Sequence, residues 1–519
     1  MSGATLAPGN AANPTGMLSI TGNLAFQAGA LYLVQLNPST ASFANVTGMA
    51  SLAGAVQAVL APGSYSRTTA YDILHATAGL GGTTFSGVEV PNFAARLSYT
   101  ATDVFLSLNA AELGAGSSLN RNQQSVANGI NQFFNSGGAL PAAFLNLFGL
   151  TGANLANALT QASGETATGS QQTTFDAMNL FMGVMTDPFI DGRGNGVTAP
   201  GGALGYADQA SQASPHNAND ALAAIYAKAP PLAPAFVPGW SVWAAGFGGS
   251  QTTGGNAAVG SNNMSSSIAG SVVGADYRFS PDTLAGFALA GGGTSFSVAN
   301  GGTGRSDLFQ AGAFVRHTVG AAYLSAALAY GWQDITTDRD VTAAGFDHLH
   351  AEFNANAYSG RIESGYRFVA PWLGGVGLTP YAAGQFTTFD LPAYAEGAQS
   401  GATSFALNYA AQSVTDSRSE LGLRTDKSFA LADGILTLRS RFAWAHDFNP
   451  DRSVAATFQT LPGASFVVKG AAQASDSALA TASAEMKWIN GWSVAATFEG
   501  EFSEVTSSYA GKGVVRYAW

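Results

Sequence analysis

The residues best spaced for chemistry are His348, His350 and Glu352, in the stretch DHLHAE. They alternate, so an extended strand sets all three on one face, and imidazole with carboxylate is a metal-ligand set. The stretch lies at the edge of a connection between strands, where exposed His and Glu need no metal, and neither a metal nor a cofactor is assigned. Ser, His and Asp all occur, but no GxSxG turn and no spacing ties them into a triad. GGTGRS (301–306) lacks the Lys and the strand-to-helix setting of a phosphate loop and reads as a short loop between strands. No residue is assigned a catalytic role, and the chain reads as not an enzyme.

A second constellation is larger. Arg361, Glu363 and Arg367 alternate with Tyr358, Ile362, Tyr366 and Phe368. Arg418, Glu420, Arg424 and Asp426 oppose Leu421 and Leu423, and Arg439, Arg441 and Asp447 oppose Leu436, Leu438, Phe442 and Trp444. Glu499 and Glu501 oppose Trp492, Val494, Phe498 and Phe502, while Lys512 and Arg516 alternate with Val515, Tyr517 and the final Trp519. Charges on one face of a strand and large apolar groups on the other need an element with water on one side and something oily on the other.

Composition says which element that is. Charged residues are 10% of the 519, against roughly 25% in typical soluble proteins. Gly contributes 64 residues and aromatics 11%, yet mean hydropathy is only +0.13. No run of about 20 apolar residues offers a membrane-spanning helix. A transmembrane barrel is apolar only at alternate residues, which fits. The net charge of −11 argues against nucleic acid as a partner, and the lack of Cys removes disulfides.

About twelve long alternating strands follow Trp240. They begin near Trp240, Ser266, Thr283, Asp307, Ala321, Glu352, Leu378, Thr415, Ile435, Ser477, Gly491 and Ser507. Short turns (279–283, 318–321, 430–434, 488–492) alternate with longer connections (250–264, 335–350, 391–412, 450–475), the asymmetry of outer-membrane barrels. The expected architecture is an antiparallel transmembrane β-barrel of about 12 strands over 239–519. The terminal strand GKGVVRYAW closes it, placing Tyr517 and Trp519 in an interfacial aromatic girdle and Arg361, Glu363, Arg367, Glu420, Arg424, Arg439, Arg441, Glu499, Glu501 and Arg516 toward the lumen. An Arg facing lipid at mid-bilayer would cost about 2–4 kcal/mol.

Upstream, residues 1–110 read as β-strands broken by Gly, Asn and Pro. Runs such as ALYLVQL, apolar on both faces, suit a stacked β-solenoid. Only one cation and no acid precede Asp72, and no cationic leader precedes an apolar run. The expectation is a segment of a longer chain, or a start lying upstream of Met1. Residues 111–238 change to helical periodicity and then to linker composition. Ile130, Phe133 and Phe134, and Phe175, Met178, Asn179 and Met182, form stripes. Thr151-Gly152 and Ser163-Gly164 read as helix stops, and these short helices read as a small subdomain or linker. DALAAIYAKA, within 219–229, has Asp220 near its start and Lys228 near its end, complementing a helix dipole.

At this point the chain resembles a family, the monomeric (type Va) autotransporters. The resemblance rests on GWSVWAAGFGGS, SPDTLAGFALAGGG, TDSRSELGLR and VVRYAW in the barrel, and on GNLAFQAGALYLVQLNP and YDILHATAGLGGTTFSGV upstream. It implies a barrel in the outer membrane of a Gram-negative cell that exports and displays an N-terminal passenger (type V secretion). Residues 1–110 would be the C-terminal, autochaperone-like end of a β-helical passenger. It further implies a lumenal helix, for which 219–229 is the candidate, with lumen charges pairing with each other or with Asp220 and Lys228. Tyr517 and Trp519 match the terminal aromatics that barrel-assembly machinery recognises, and Asn217 and Asn219 are candidate passenger-cleavage positions. The implied partners are outer-membrane lipid, the assembly machinery, periplasmic chaperones and the chain's own passenger, with the barrel a monomer. Two alternatives stand beside it: a diffusion porin, and a soluble β-solenoid adhesin or hydrolase.

Overall fold

The computed structural model describes residues 3–63, 65, 69–91, 93–109, 113–187 and 239–519. Its largest element is an antiparallel barrel closed on itself, which removes the unpaired edges that a sheet cannot expose to hydrocarbon. Twelve strands build it: β1 (Gly239–Thr253), β2 (Met264–Ser280), β3 (Thr283–Val298), β4 (Gly302–Val319), β5 (Ala322–Val341), β6 (Asp347–Tyr366), β7 (Val376–Leu391), β8 (Gln412–Leu431), β9 (Gly434–Asp447), β10 (Asp476–Trp488), β11 (Trp492–Phe502) and β12 (Thr506–Ala518). Closure is the pairing of β12 with β1, from Ser241 opposite Ala518 to Thr253 opposite Thr506. Both ends of the barrel chain therefore lie at the short-turn rim. There Trp492 meets Tyr517 at 5.0 Å and Tyr517 meets Trp519 at 5.7 Å, ring centre to ring centre.

Outside, the wall is apolar: Leu328, Ile362, Leu421, Phe442 and Phe498 are exposed. Inside, it changes around the circumference. From β1 to β5 the inward positions carry Trp243, Phe247, Ile268, Leu284, Leu308, Phe314 and Ile335, all buried. From β6 onward charged residues become frequent. Several strands also outrun the bilayer at the opposite rim. The 335–350 connection is thus shorter than the sequence reading had it, because β5 continues to Val341 and β6 starts at Asp347.

Residues 5–89 wind as a three-faced parallel β-helix. Each strand pairs with one a turn later: Thr5 with Leu31, Met17 with Phe43, Leu24 with Ala50, and Val56 with Val88. Its interior is aromatic, with Phe26, Tyr32 and Phe85 in mutual contact at 5.2–5.8 Å. An antiparallel hairpin, Ala94–Tyr99 with Asp103–Asn109, ends the parallel stack.

Four helices follow: α1 (Arg121–Asn135), α2 (Ala142–Phe148), α3 (Gly152–Ala162) and α4 (Thr168–Met185). Asn120 and Gln123 form a reciprocal cap at the start of α1. Thr151-Gly152 begins α3 instead of stopping a helix. Ser163-Gly164 does end one, and Gly164, at φ +68°, makes the left-handed turn into α4.

Helices α1–α3 rest on a small sheet that the long barrel connections build from Tyr394–Ala395, Leu407–Tyr409, Ser453–Phe458 and Ser465–Lys469. Gly129 of α1 lets the helix approach Ser465 so closely that a Cβ would sit 3.2 Å from its carbonyl oxygen. Phe93, between the β-helix and the hairpin, packs on Phe134 and Phe148, and Phe144 packs on Phe405 and Phe458. One continuous core therefore joins β-helix, helices and barrel connections. Phe458→Ala would remove a buried ring from its centre at a cost of about 3–5 kcal/mol. Hydrogen exchange should then speed up in α2 and at 394–409 and stay slow in β1–β12; unchanged protection of α2 would contradict the shared core.

Candidate functional site: the barrel lumen

An eight-stranded barrel is filled by its own side chains, and larger barrels enclose space. Here the space holds α4. Its 18 residues span about 27 Å, and fourteen of them are buried. The helix enters at the rim formed by the long connections. Gly169 touches Phe296, near the β3–β4 turn, and the helix ends beside Gly312 of β4, which Met185 contacts. It packs on β2–β7. Phe175, Met178, Phe181, Met182 and Met185 join the apolar inner wall. Three amides orient it: Gln333 donates to Thr174 Oγ1 (3.0 Å), Gln310 to Met178 Sδ (3.2 Å) and Gln385 to Asn179 Oδ1 (2.5 Å).

The helix in the lumen is thus 168–185. Its stripe of Phe175, Met178, Asn179 and Met182 reads from the sequence as part of a small subdomain or linker, and the structure sets it inside the barrel. The candidate helix 219–229, with Asp220 and Lys228, and the candidate cleavage positions Asn217 and Asn219 lie outside the described residues.

The opposite half of the lumen is ionic. Arg361 bridges Glu363 and Glu420 (both 2.9 Å), and Arg424 pairs with Glu363 (2.6 Å). Arg418 pairs with Glu501 (2.8 Å) and approaches Asp447 (3.8 Å). Lys512 joins Glu499 (3.0 Å) to Asp187 (2.9 Å), the residue that ends the described part of the plug, and Arg441 stands 3.8 Å from Glu499. Arg439 with Glu485 (2.5 Å), Arg367 with Asp426 (2.7 Å) and Arg516 with Asp276 (3.7 Å) form separate pairs. Each of the ten charges singled out in the sequence has an opposite charge within 3.8 Å. Buried charges need such partners, because an unpaired one is far costlier.

Two anchors at the rim escaped the sequence reading. Arg452 comes from the 448–475 connection and is fully buried. Its guanidinium lies 4.4 Å from the Phe175 ring centre, donates to Gln172 Oε1 (3.2 Å) and pairs with Asp416 (3.2 Å). Gln171 donates to the Ser453 carbonyl (2.8 Å). In sequence Arg452 is one cation among loop residues, with nothing to mark it. The second anchor is Glu165, just before α4, which accepts from Asn262 N (2.7 Å) and Asn262 Nδ2 (2.6 Å) of the β1–β2 connection.

His348 and His350 sit on the outer face of β6. Their Nδ1 atoms meet Asp340 and Asp338 of β5 (both 2.7 Å), so neighbouring carboxylates engage both rings. Glu352 is exposed on the same face. Among the described residues no group of three His, Cys, Asp or Glu is arranged to hold a metal. GGTGRS contributes a turn and the first residues of β4.

Burial pushes the Glu165 carboxyl up to about 7, against the two Asn262 hydrogen bonds, which pull it down. Its native pKa exceeds the unfolded value of about 4.5, so its contribution to stability is complete below pH 4.5 and fades as pH rises through 7. Protection of the 254–263 amides, taken as exchange slowed relative to the intrinsic amide rate at each pH, should therefore be greater at pH 5.5 than at pH 8, and Glu165→Gln should flatten that difference. An unchanged pH dependence in the variant would contradict the assignment.

The family model "Autotransporter beta-domain" matches residues 242–499. An extracellular serine protease of Serratia marcescens is 31% identical over 144 residues, which span 28% of this chain and 13% of that protein's length. Among solved structures, the translocator domain of the Neisseria meningitidis autotransporter NalP is similar at 17% identity, covering 54% of this chain and 88% of that one, with a TM-score of 0.44. The beta domain of the Bordetella autotransporter Brka is similar at 18% identity, covering 54% of this chain and 100% of that one, with a TM-score of 0.42. A closed twelve-strand barrel whose residues match the autotransporter beta-domain places this chain among the autotransporters, outer-membrane proteins of type V secretion.

Proposed function

We propose that the barrel displays residues 1–167 at the cell surface, and that α4 is the tail end of that exported segment, retained in the lumen as a plug. The carrying observation is polarity. The N-terminal end of α4 lies at the long-connection rim, continuous with α1–α3 and the β-helix stacked on those connections. The short-turn rim, where β1 begins and β12 ends, faces the other way. In an outer-membrane barrel the short turns are periplasmic, so the β-helix stands outside the cell. The β-helix is the passenger's end, and the chain works as a transporter without catalysis of its own. The lumen charges serve the plug: their mutual pairing holds the polar half of the wall rigid while α4 lies on the apolar half.

Insertion would engage the barrel-assembly machinery through Tyr517 and Trp519, periplasmic chaperones beforehand and lipid afterward, with the barrel a monomer. On intact cells, an epitope placed at 27–29, in an exposed turn of the β-helix, should be accessible to antibody; protection until cells are lysed would contradict display. In planar bilayers the full chain should conduct little. Arg452→Ala removes one partner of a buried pair, costing about 3–5 kcal/mol, and should raise the open fraction while Arg452→Lys raises it less. Equal, large conductance in all three would favour an open pore. Removing Trp519 should lower recovery in outer-membrane fractions, and wild-type recovery would contradict an assembly role.

A further inference from the structure

We infer that the short-turn rim holds a phospholipid headgroup. Lys427, on the lipid-facing side of β8, is the cation for its phosphate, and the β6–β7 connection is the apolar ledge beside it. The inference rests on the polarity argued above, which puts this rim in the periplasmic leaflet, and it adds a binding partner that export does not require.

The ledge is set apart by its length. At this rim two residues join β2 to β3 (281–282), β4 to β5 (320–321) and β8 to β9 (432–433), and three join β10 to β11 (489–491). Nine residues, 367–375, join β6 to β7. They form an ordered tip: Phe368–Ala370 extends the hairpin against Val376–Leu378, and Pro371–Leu373 makes one tight turn. Gly374 N donates to the Pro371 carbonyl and Gly375 N to the Ala370 carbonyl (both 3.1 Å). A tip standing in water would be polar. This one carries Phe368, Val369, Trp372 and Leu373, all exposed, Trp372 at 76%. Large apolar groups exposed together mark an interaction surface, and a Trp at a barrel rim suits the depth of lipid headgroups.

Lys427 indicates what that surface meets. It alternates outward with Leu423 and Phe429, both exposed, and lies opposite Leu438 of β9. Its ammonium bends back toward the rim. It stands 5.6 Å from the Phe429 ring centre, and a Cβ on Gly374 would come within 3.2 Å of Nζ. Gly374, at φ +67°, thus makes the turn and leaves the ammonium room. The adjacent carboxylate, Asp426, is engaged by Arg367 (2.7 Å), and none of the described carboxylates pairs with Lys427. The lumen cations Arg361, Arg424 and Lys512 each have a carboxylate of this chain; Lys427 has none. A cation at the edge of hydrocarbon needs water or an anion, and a long side chain reaches back to the interface for it. Lipid is what reaches a wall flanked by Leu438 and Phe429, so the anion there is a lipid phosphate. Its oxygens accept from Lys427 Nζ, while the acyl chains lie along Leu438, Leu423 and Phe442.

Native mass spectrometry of the full chain, released from mild detergent with added phosphatidylglycerol, tests this. The unsubstituted protein should retain bound phosphatidylglycerol. Lys427→Ala should lower retention about fivefold, the share that one cation supplies near an anionic lipid surface, and Lys427→Arg should keep it. A phosphatidylglycerol with a photoreactive headgroup should form adducts concentrated in 367–378 and 427–438. Equal retention by Lys427→Ala, equal retention of a diacylglycerol without phosphate, or adducts spread evenly over all the short turns would overturn the inference and leave export intact. Lipid A displacing phosphatidylglycerol from the unsubstituted protein would overturn the assignment to the periplasmic leaflet. An epitope at 27–29 that stays inaccessible on intact cells would instead overturn the polarity on which the inference rests.

Discussion

The constraint from which the rest follows is that backbone N–H and C=O groups in hydrocarbon have nothing to bond to except each other. A sheet meets it only by closing, and here closure is the continuous pairing of β1 with β12, thirteen residue pairs from Ser241–Ala518 to Thr253–Thr506. Once the sheet is closed, each strand has a lipid face and an interior face, and a ring of twelve strands leaves an interior too wide for side chains alone. The interior must then be wet, or filled, or both. This protein does both: α4 fills one half against an apolar wall, and paired charges line the other.

The same constraint explains the outer rim. Four connections contribute to a small sheet and to anchors on the helices above it, so the β-helix is not tethered by a loose linker but shares a core with the barrel's own connections. Arg339 illustrates the coupling. It sits at the far end of β5, pairs with Glu396 of the β7–β8 connection at 2.6 Å, and donates to the Gln161 carbonyl of α3 at 2.6 Å. One buried guanidinium thus holds barrel, connection and helix together, and Tyr409 adds a bond from the same network to the Gly164 carbonyl (3.3 Å) at the turn into α4. Covering the mouth and seating α4 are physically linked, because the elements that cover the mouth are also those that fix where the helix begins.

How legible this was in the sequence follows the environments. The strands of the barrel were readable because lipid enforces alternation over long stretches: Leu438 and Arg439, or Phe498 and Glu499, can only be neighbours on opposite faces. The β-helix was readable from ALYLVQL, whose two apolar faces need stacking. Helix α4 was visible as a stripe and misplaced, because inside the barrel even its polar residues, Gln171, Gln172 and Thr174 among them, are buried, so the sequence carries too little exposed face to orient it. The rim sheet was invisible: SVAATF and SFVVK alternate like any short hairpin, and nothing in them announces that Leu407–Tyr409 joins from the preceding connection or that α1, hundreds of residues upstream, rests on them. The roles of Arg452, Glu165 and Arg339 likewise depend on contacts that no local pattern announces.

The claim beneath all of this is that β1–β12 stand in a membrane with lipid on one face and the plugged lumen on the other. Spin labels placed singly at Leu438, Phe498, Val515, Arg439, Glu499 and Arg516 in the reconstituted protein test it most directly. The first three should be relaxed by oxygen dissolved in the bilayer, and the last three should be shielded from it. Labels at Leu438, Phe498 and Val515 that respond instead to a water-soluble relaxing agent, with the other three responding to oxygen, would contradict the account.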